Sequence, residues 1–402
     1  MKIIGGGVCA PQGFQASGFN ADIKGKGSDK LDCALVASQA PAVMAGAFTT
    51  NLLKAPPLQW TEGVCIRGAG RAVLINSGNA NACTGAQGVA DAQRTAEQVC
   101  LGLEIPITEV AVLSTGVIGV PLPMDRIVRG VNGCVQALSE AGHENAARAI
   151  MTTDTVPKEM AVEIPLSGGP VRLGAMAKGS GMIAPNMATM IAVITTDARI
   201  EPDDLRALLR ACVDRSFNCM CVDNDMSTSD AALCIANGAA MAEPLRPGTP
   251  DFEAFGEALE QLCVALAKAL VRDGEGATKF IEIQVAGAED DNDAKTVARS
   301  IAHSQLCKTA FFGEDANWGR IACAAGYSGA DFSPEHLRIS IGDVAVVHDG
   351  LPTLFDEAAA KAVMSKPEIT VSVSLGDGPG AATFWTSDLS HDYVSINADY
   401  RT

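Results

Sequence analysis

The stretch Met190-Ile191-Ala192-Val193-Ile194-Thr195-Thr196 is an apolar, β-branched run that decides how the chain around it is built. Such a run predicts a buried strand. The residues before it, 178–189, contain two glycines, a proline and an asparagine, which favour an irregular loop. Thr189 therefore marks the point where a loop enters a rigid strand, and a hydroxyl group there can be held firmly.

Thr189 has two interpretations that the residues alone leave open. If the Ala188–Thr189 peptide bond were cut, Thr189 would carry a nucleophilic hydroxyl group and a free α-amine, which is one way to activate a threonine. In the other interpretation Thr189 is simply the first residue of a buried strand, which is the commoner role for a threonine.

Composition sets the broad class of the protein. The chain has 402 residues, of which 48% are hydrophobic and 19% charged, as in an ordinary globular protein with an ample core. The net charge of −17 argues against nucleic acid or an anionic membrane surface as a partner, because both require basic patches. A small anionic substrate needs only one or two local cations.

Targeting signals are not evident. The apolar run at the N-terminus is too short for a signal peptide, and no stretch of about 18 uninterrupted apolar residues predicts a membrane span. The 13 cysteines are an odd number spread along the chain. We expect reduced thiols in a cytoplasmic protein, mostly buried in apolar surroundings, as at Cys100, Cys212, Cys263 and Cys323.

Several familiar motifs are incomplete in this sequence. The stretch Asp-Asn-Asp-Met-Ser at 223–227 begins like a calcium-binding loop, but Thr228 and Cys234 occupy the positions where such a loop needs glycine and glutamate. We therefore predict an ordinary loop near the functional site here. Residues 274–279 lack the spacing of a phosphate-binding loop. The five histidines form no H-x-x-x-H pair, and there is no G-x-S-x-G motif. We therefore expect neither a metal site nor a serine triad.

Periodicity predicts a mixed α/β protein, because strands alternate with helices along the chain. Strands are predicted at 72–76, 109–114, 190–196, 280–285, 337–348 and 368–387, and the turn residues at 168–170 predict a hairpin. One helix is predicted over 123–150, with an end near Gly142 and His143. Further helices are predicted from Pro202 onward, around 259–270, and near 295–306, 317–326 and 353–364.

Five segments resemble, in order, motifs of the ornithine acetyltransferase family of arginine biosynthesis, also called glutamate N-acetyltransferases. The longest is Lys-Gly-Ser-Gly-Met-Ile-Ala-Pro-Asn-Met-Ala-Thr-Met at 178–190, which is similar to the self-cleavage site of that family. The others lie at 114–119, 152–155, 273–279 and 397–402. The resemblance thus extends over essentially the whole chain.

The resemblance implies a self-processed acyltransferase with an N-terminal threonine, in which stacked β-sheets are flanked by helices. Cleavage between Ala188 and Thr189 would give an α chain, 1–188, and a β chain, 189–402, assembled as a heterotetramer of two α and two β chains. Thr189 would be the nucleophile, and Thr115 and Gly116 would form the oxyanion hole that acyl transfer needs.

The resemblance also implies the substrates. The acetyl group of N-acetylornithine would pass to glutamate through an acetyl-Thr189 intermediate, without a cofactor, and whether acetyl-CoA is a further donor is left open. Glu275 suits an ammonium group and Lys178 a carboxylate. The substrate-binding residues implied are Thr152, Lys178, Thr189, Glu275, Asn397 and Thr402.

Two alternatives from other classes stay open. A related N-terminal-nucleophile amidase or aminopeptidase would pass the acyl group to water rather than to glutamate. A non-catalytic α/β protein that binds amino acids would keep Thr189 in its core and would have no reason to be cleaved.

Overall fold

The structure is a computed structural model, and it describes residues 1–184 and 190–398. The predicted cleavage site, Ala188 and Thr189, and the predicted binding residue Thr402 lie outside the described residues. The chain forms two compact units. The first unit comprises Met1–Met182, Asn186–Asn218 and Asp225–Leu266, and the second unit comprises Ile183–Pro185, Cys219–Asn224 and Ala267–Thr402. The predicted division at 188/189 is a cut of the chain rather than a boundary between compact units, and it stays a prediction.

Strands and helices alternate along the described residues. The strands are β1 (Lys2–Ile4), β2 (Phe14–Phe19), β3 (Cys33–Ser38), β4 (Val43–Phe48), β5 (Ala72–Asn79), β6 (Val110–Val117), β7 (Lys158–Leu166), β8 (Gly169–Lys178), β9 (Ile191–Thr196), β10 (Met220–Cys221), β11 (Ala231–Ala236), β12 (Phe280–Ala288), β13 (Arg338–Ile341), β14 (Val344–His348), β15 (Leu351–Pro352), β16 (Glu368–Ser374) and β17 (Gly380–Ser387). The helices are α1 (Pro56–Arg67), α2 (Gly85–Leu103), α3 (Met124–Gln136), α4 (His143–Ala149), α5 (Pro202–Asp214), α6 (Pro250–Arg272), α7 (Asp291–His303), α8 (Gln305–Phe312), α9 (Trp318–Gly326), α10 (Glu357–Met364) and α11 (His391–Ala398).

A four-stranded sheet, in the order β2-β3-β5-β6, forms one layer of the first unit. The first two pairs of strands are antiparallel, and β5 and β6 are parallel. Successive side chains of a strand point to opposite faces, so Val36 and Leu35 belong to two different hydrophobic clusters. Both faces of this sheet are therefore buried.

A six-stranded sheet, in the order β1-β7-β8-β9-β11-β4, forms the second layer. Strand β9 lies inside it, antiparallel to β8 and parallel to β11. Ile191 and Val193 share one hydrophobic cluster with Ala34 and Val36 of the four-stranded sheet. The two sheets are thus stacked face to face, and the predicted strand at 190–196 is confirmed as the buried strand β9.

Helices cover the outer faces of both sheets in the first unit. Val99 of α2 and Ile127 of α3 pack with Leu35 on the four-stranded sheet. Helix α5 lies against β4 and β11 of the six-stranded sheet. The predicted architecture of stacked sheets flanked by helices is confirmed. The second unit contains a separate mixed sheet in the order β10-β17-β12-β16-β13-β14-β15, with α7 packed on β12 and β17.

The predicted helix over 123–150 is wrong in its middle, since α3 ends at Gln136 and α4 begins at His143. Ser139 instead pairs with Ala16 of β2, with N···O distances of 3.0 and 3.1 Å in the two directions. A side chain at Gly142 would lie 1.8 Å from the Ala16 carbonyl oxygen. Backbone pairing with a distant strand thus interrupts a segment whose local sequence favours a helix.

The cysteines are free thiols, as predicted. Burial raises the pKa of Cys212 to about 12, so it is neutral at pH 7. Cys263 is also buried, but Cys100 is only half-buried and Cys323 is exposed. The expectation of burial is therefore wrong for Cys323, because the apolar residues around it in sequence face the other side of α9. Within the described residues, no helix is long and apolar enough to cross a membrane.

Candidate active site

The predicted oxyanion residues lie on β6, side by side with the end of β5. Thr115 pairs with Ser77, and Gly116 pairs with Gly78. Sequence analysis placed Gly116 beyond a strand end, whereas the strand continues to Val117. Gly116 has a φ of +133°, and a Cβ there would lie 2.3 Å from the carbonyl carbon of Gly78. Glycine is therefore required at this position by both backbone conformation and space.

Buried side chains hold this pair of strand ends in place. The Ser114 hydroxyl donates to Oδ1 of Asn76 at 2.6 Å. The Asn76 amide donates to the carbonyl of Asn79 at 2.8 Å, and the Asn79 amide donates to the carbonyl of Val120 at 3.1 Å. Thr115 itself is 3% exposed. Such a fixed, water-poor position suits donors that must not reorganise during a reaction, and the oxyanion role stays a prediction.

Asp154 draws two of the predicted binding residues together. Its Oδ2 accepts the N–H of Thr152 at 3.0 Å. Its Oδ1 accepts the N–H of Gly179, the residue after Lys178, at 2.7 Å, and the Lys158 ammonium group at 2.7 Å. Thr152 and the end of β8 are therefore bound to one carboxylate.

Positive charge gathers around Asp154. Burial alone would raise the pKa of Asp154, but the charges of Lys178 and Lys158 outweigh burial and hold it at about 2. Lys178 is 1% and Lys158 4% exposed. The more exposed Lys30 donates to the carbonyl of Thr152 at 2.9 Å. Three lysines thus converge on one aspartate in a chain of net charge −17, and this arrangement suits an anionic ligand.

A side chain connects the oxyanion strands with the lysine cluster, which we define as Lys30, Lys158 and Lys178. The Ser77 hydroxyl, opposite Thr115 on β5, donates to the carbonyl of Ala149 at 2.9 Å. Ala149 ends α4, three residues before Thr152. The two groups of predicted site residues in the first unit are therefore tied to each other.

The lysine cluster also lies beside the entry to β9. Lys178 pairs with Ile191, the first residue of that strand. Met190 is fully buried. The chain that carries the predicted nucleophile therefore enters the sheet next to Lys178.

In the second unit, the structure brings Glu275 and Asn397 together. The Asn397 amide donates to Oε2 of Glu275 at 2.8 Å. The Ser390 hydroxyl donates to the carbonyl of Gly276 at 2.6 Å. Gly276 has a φ of +68°, and a Cβ there would lie 2.4 Å from the nitrogen of Tyr393. The loop of Glu275 is therefore fitted closely to helix α11.

Sequence analysis missed Asp388, which fixes the other side of this loop. Its Oδ1 accepts the N–H groups of Thr278 at 2.8 Å and Lys279 at 2.9 Å. Nearby, the buried Lys308 donates to the Thr386 hydroxyl at 2.9 Å. Asp154 and Asp230 in the first unit were missed as well. In each case the sequence shows only an acid beside an apolar strand or a turn. That pattern does not identify the group that the carboxylate contacts.

No metal site can be assigned: among residues 1–184 and 190–398, no three His, Cys, Asp or Glu side chains lie close enough to hold an ion. His303 has a structural role. Burial lowers its pKa to about 4, and its ring packs edge-on against Phe384.

Fold and site together define a class, namely an α/β protein of stacked sheets with a buried cationic site beside a central strand. The chain belongs to the ArgJ family, whose family model matches residues 15–402. It is similar to the arginine biosynthesis bifunctional protein ArgJ of Symbiobacterium thermophilum, at 50% identity over 402 residues and 100% of both chains. The Geobacter sulfurreducens protein of the same name is 49% identical over 397 residues, covering 97% of this chain and 99% of that one. The predicted family is confirmed, and the chain is an enzyme of arginine biosynthesis.

Two solved structures are also similar. One is the arginine biosynthesis bifunctional protein ArgJ from Bacillus halodurans, at 44% identity and a TM-score of 0.49, covering 51% of this chain and 96% of that one. The other is ornithine acetyltransferase from Mycobacterium tuberculosis complexed with ornithine, at 46% identity and a TM-score of 0.42, covering 46% of this chain and 97% of that one.

Proposed function

We propose that this enzyme moves the acetyl group of N-acetylornithine to glutamate through an acetyl-Thr189 intermediate. The observation that carries the proposal is the lysine cluster, which gathers on Asp154 beside the strand that Thr189 precedes. Both substrates carry a carboxylate, and a cationic site in an otherwise acidic protein attracts such molecules. Membership of the ArgJ family and the name of the solved ornithine acetyltransferase support the same reaction.

The first step is self-cleavage. The Thr189 hydroxyl attacks the carbonyl carbon of Ala188, the C–N bond of that peptide breaks, and the acyl group moves from nitrogen to oxygen. Water then hydrolyses the ester, which leaves a carboxylate on Ala188 and a free α-amine on Thr189. The amine has an ordinary pKa of about 7.7–8.0, so roughly a tenth of it is neutral at pH 7 and can accept a proton.

The processed enzyme then works in two half-reactions. The Thr189 oxygen attacks the acetyl carbonyl while its proton passes to the α-amine of the same residue, where proximity makes the base effective. Thr115 and Gly116 donate to the oxyanion. The α-amine returns the proton to the departing nitrogen of ornithine. The amino group of glutamate then attacks the ester, and Thr189 regains its proton.

Substrate contacts divide by charge. Lys178 binds the substrate carboxylate as a point charge, with Thr152 beside it. Glu275, held by Asn397, binds an ammonium group of ornithine, and Thr402 is proposed as a further substrate-binding residue. We further propose that acetyl-CoA serves as a second acetyl donor, since relatives are named bifunctional. Assembly as two α and two β chains, and a place in the cytoplasm, belong to the same proposal.

Substitution of Thr189 tests the mechanism. We expect Thr189→Ala to remain one chain of 41.5 kDa and to transfer no acetyl group, because both the attacking oxygen and the step that frees the amine are lost. Thr189→Ser is the matched control, since it keeps the hydroxyl group, and it should appear as two fragments with measurable transfer. Gel electrophoresis and an N-acetylornithine assay give both results. Activity or cleavage in Thr189→Ala would rule the mechanism out.

The acyl acceptor separates this function from that of an amidase. With N-acetylornithine as the donor, ornithine release should depend on glutamate, whereas an amidase releases ornithine equally well without it. Replacing N-acetylornithine by acetyl-CoA in the same assay tests the second donor. Light scattering tests the assembly, which should have about twice the mass of one 41.5 kDa chain.

A further inference from the structure

Asp230 is a buried acid at the same end of the six-stranded sheet as Lys178. It directly precedes β11 and is 0% exposed. Its neighbour Ala231 pairs with Ile191 and donates its N–H to the carbonyl of Met190 at 3.1 Å. On the other side, the N–H of Thr49 donates to the Asp230 carbonyl at 3.1 Å. Asp230 therefore lies next to the point where the chain enters β9.

The side chain of Asp230 is poorly satisfied. The Thr49 hydroxyl and the N–H groups of Ser227 and Met190 face the carboxyl group. Even so, neither of its oxygens makes a hydrogen bond of ordinary geometry within the part of the chain that the structure describes. An ionised carboxylate in such a place is costly. Burial raises the pKa of Asp230 well above its ordinary value, and the charge of Lys178 opposes that rise only in part.

Lys178 is thus flanked by two acids of different character. Asp154 is held ionised by Lys178 and Lys158, while Asp230 interacts with Lys178 from the side of β11. The charge of Lys178 acts on both Asp230 and Asp154. Lys178 and Ala231, the residue after Asp230, pair with Ile191 from its two sides. When Asp230 holds a proton, the surroundings of Lys178 carry one negative charge fewer.

We propose that Asp230 is a positioning residue that sets how strongly Lys178 attracts the carboxylate of the substrate. The inference rests on the proposed function, in which Lys178 contacts that carboxylate. A protonated Asp230 leaves the Lys178 charge to the substrate, whereas an ionised Asp230 competes for it. By linkage, an anionic substrate favours the protonated form. The KM for N-acetylornithine should therefore rise with pH in wild type and stay flat in Asp230→Asn, whereas the rise of kcat that comes from the Thr189 α-amine should be the same in both.

Asp197 supplies a matched control. It is 1% exposed and follows β9 at the opposite end of the strand. Burial raises the pKa of Asp197 as well. Its oxygens are satisfied by the N–H groups of Gln12 at 3.0 Å and Arg172 at 2.7 Å. It shares burial with Asp230, but it lies at the other end of β9 from Lys178.

The experiment measures kcat and KM for N-acetylornithine between pH 6.5 and 8.5. For wild type and Asp197→Asn we expect KM to rise with pH as Asp230 ionises, and the protonated and ionised forms should differ about tenfold in KM, the effect of one nearby charge worth about 1.4 kcal/mol. Asp230→Asn should show a flat KM near the low-pH value of wild type. With the carboxamide of N-acetylornithine, which has no carboxylate, the rise should disappear in wild type too.

The outcomes separate the two proposals. A KM that rises equally in Asp230→Asn and wild type, or equally with acid and carboxamide, overturns the role of Asp230 while transfer itself continues. A wild type without transfer activity overturns the proposed function instead. If Asp230→Asn does not fold, Asp230→Glu and the comparison with the carboxamide decide. The glutamate variant keeps a titrating group, so its KM for N-acetylornithine should still rise with pH. A KM for N-acetylornithine that stays flat in wild type overturns the inference.

Discussion

Asp154 joins parts of the chain that the local sequence keeps apart, namely the turn at Thr152 and the end of β8. Its carboxylate is stabilised by charge rather than by solvent, since the pKa lies at about 2 against an ordinary 3.8. A lowered folded-state pKa contributes stability above pH 4 that is lost as the pH falls from about 4 to 2, and here this amounts to about 2 kcal/mol.

We therefore expect Asp154→Asn to lower the free energy of unfolding at pH 7 by about 3 kcal/mol, because a buried charge network loses one partner. The loss should shrink at pH 3.5, where wild type begins to lose the same contribution. Urea unfolding at the two pH values measures it. Asp251→Asn is the control: Asp251 accepts from Ser167 at the exposed surface, so its removal should change little. An equal loss at both pH values would contradict the electrostatic interpretation.

Single site residues were proposed from the sequence where chemistry and motif coincide, as at Thr115, Lys178 and Glu275, and their roles stay predictions. Their neighbours Asp154, Asp230 and Asp388 were not, because their partners are distant in sequence. Asp388, for example, meets Thr278 across 110 positions. A polar residue beside a strand indicates that a contact exists, and only the tertiary fold says with which group.

At the scale of elements, the strands were the most predictable part. Apolar runs predicted β5, β6, β9 and β12 to within a few residues, since each strand is buried over most of its length. The helix over 123–150 was not, because pairing of Ser139 with β2 overrides its local preference. Sequence patterns report burial well, and they report long-range backbone pairing poorly.

The close approach of strands β5 and β6 at Gly116 leads to a specific prediction. We expect Gly116→Ala to reduce transfer by on the order of 10²-fold, because its Cβ meets the Gly78 backbone at 2.3 Å and must displace the proposed oxyanion donors. Gly119→Ala is the matched control: its φ is +83°, but nothing lies within 4 Å of its Cβ. It shares the backbone strain, of about 1–3 kcal/mol, without the collision.

Steady-state kinetics and thermal unfolding distinguish the two variants. Gly119→Ala should lose stability and keep most of its kcat, whereas Gly116→Ala should lose both. Equal kcat values in the two variants would show that close packing of β5 on β6 does not serve the reaction.

At the scale of the whole molecule, charge and chain processing matter together. The chain is acidic overall and concentrates lysines at Asp154 in the first unit, while the second unit holds Glu275 and Asn397. Composition alone argued against nucleic acid as a partner and left a small anionic substrate open. The α/β class followed from periodicity, and the family and the stacked sheets followed from the motifs. All three are confirmed, whereas the cut at 188/189 and the assembly stay proposals.

N-terminal sequencing of the purified, active protein tests the central claim most directly, because the proposed mechanism needs the nitrogen of Thr189 as a free amine. We expect two N-termini in equal amounts, one at or near Met1 and one at Thr189. An active protein whose only N-terminus lies at or near Met1 would contradict the account.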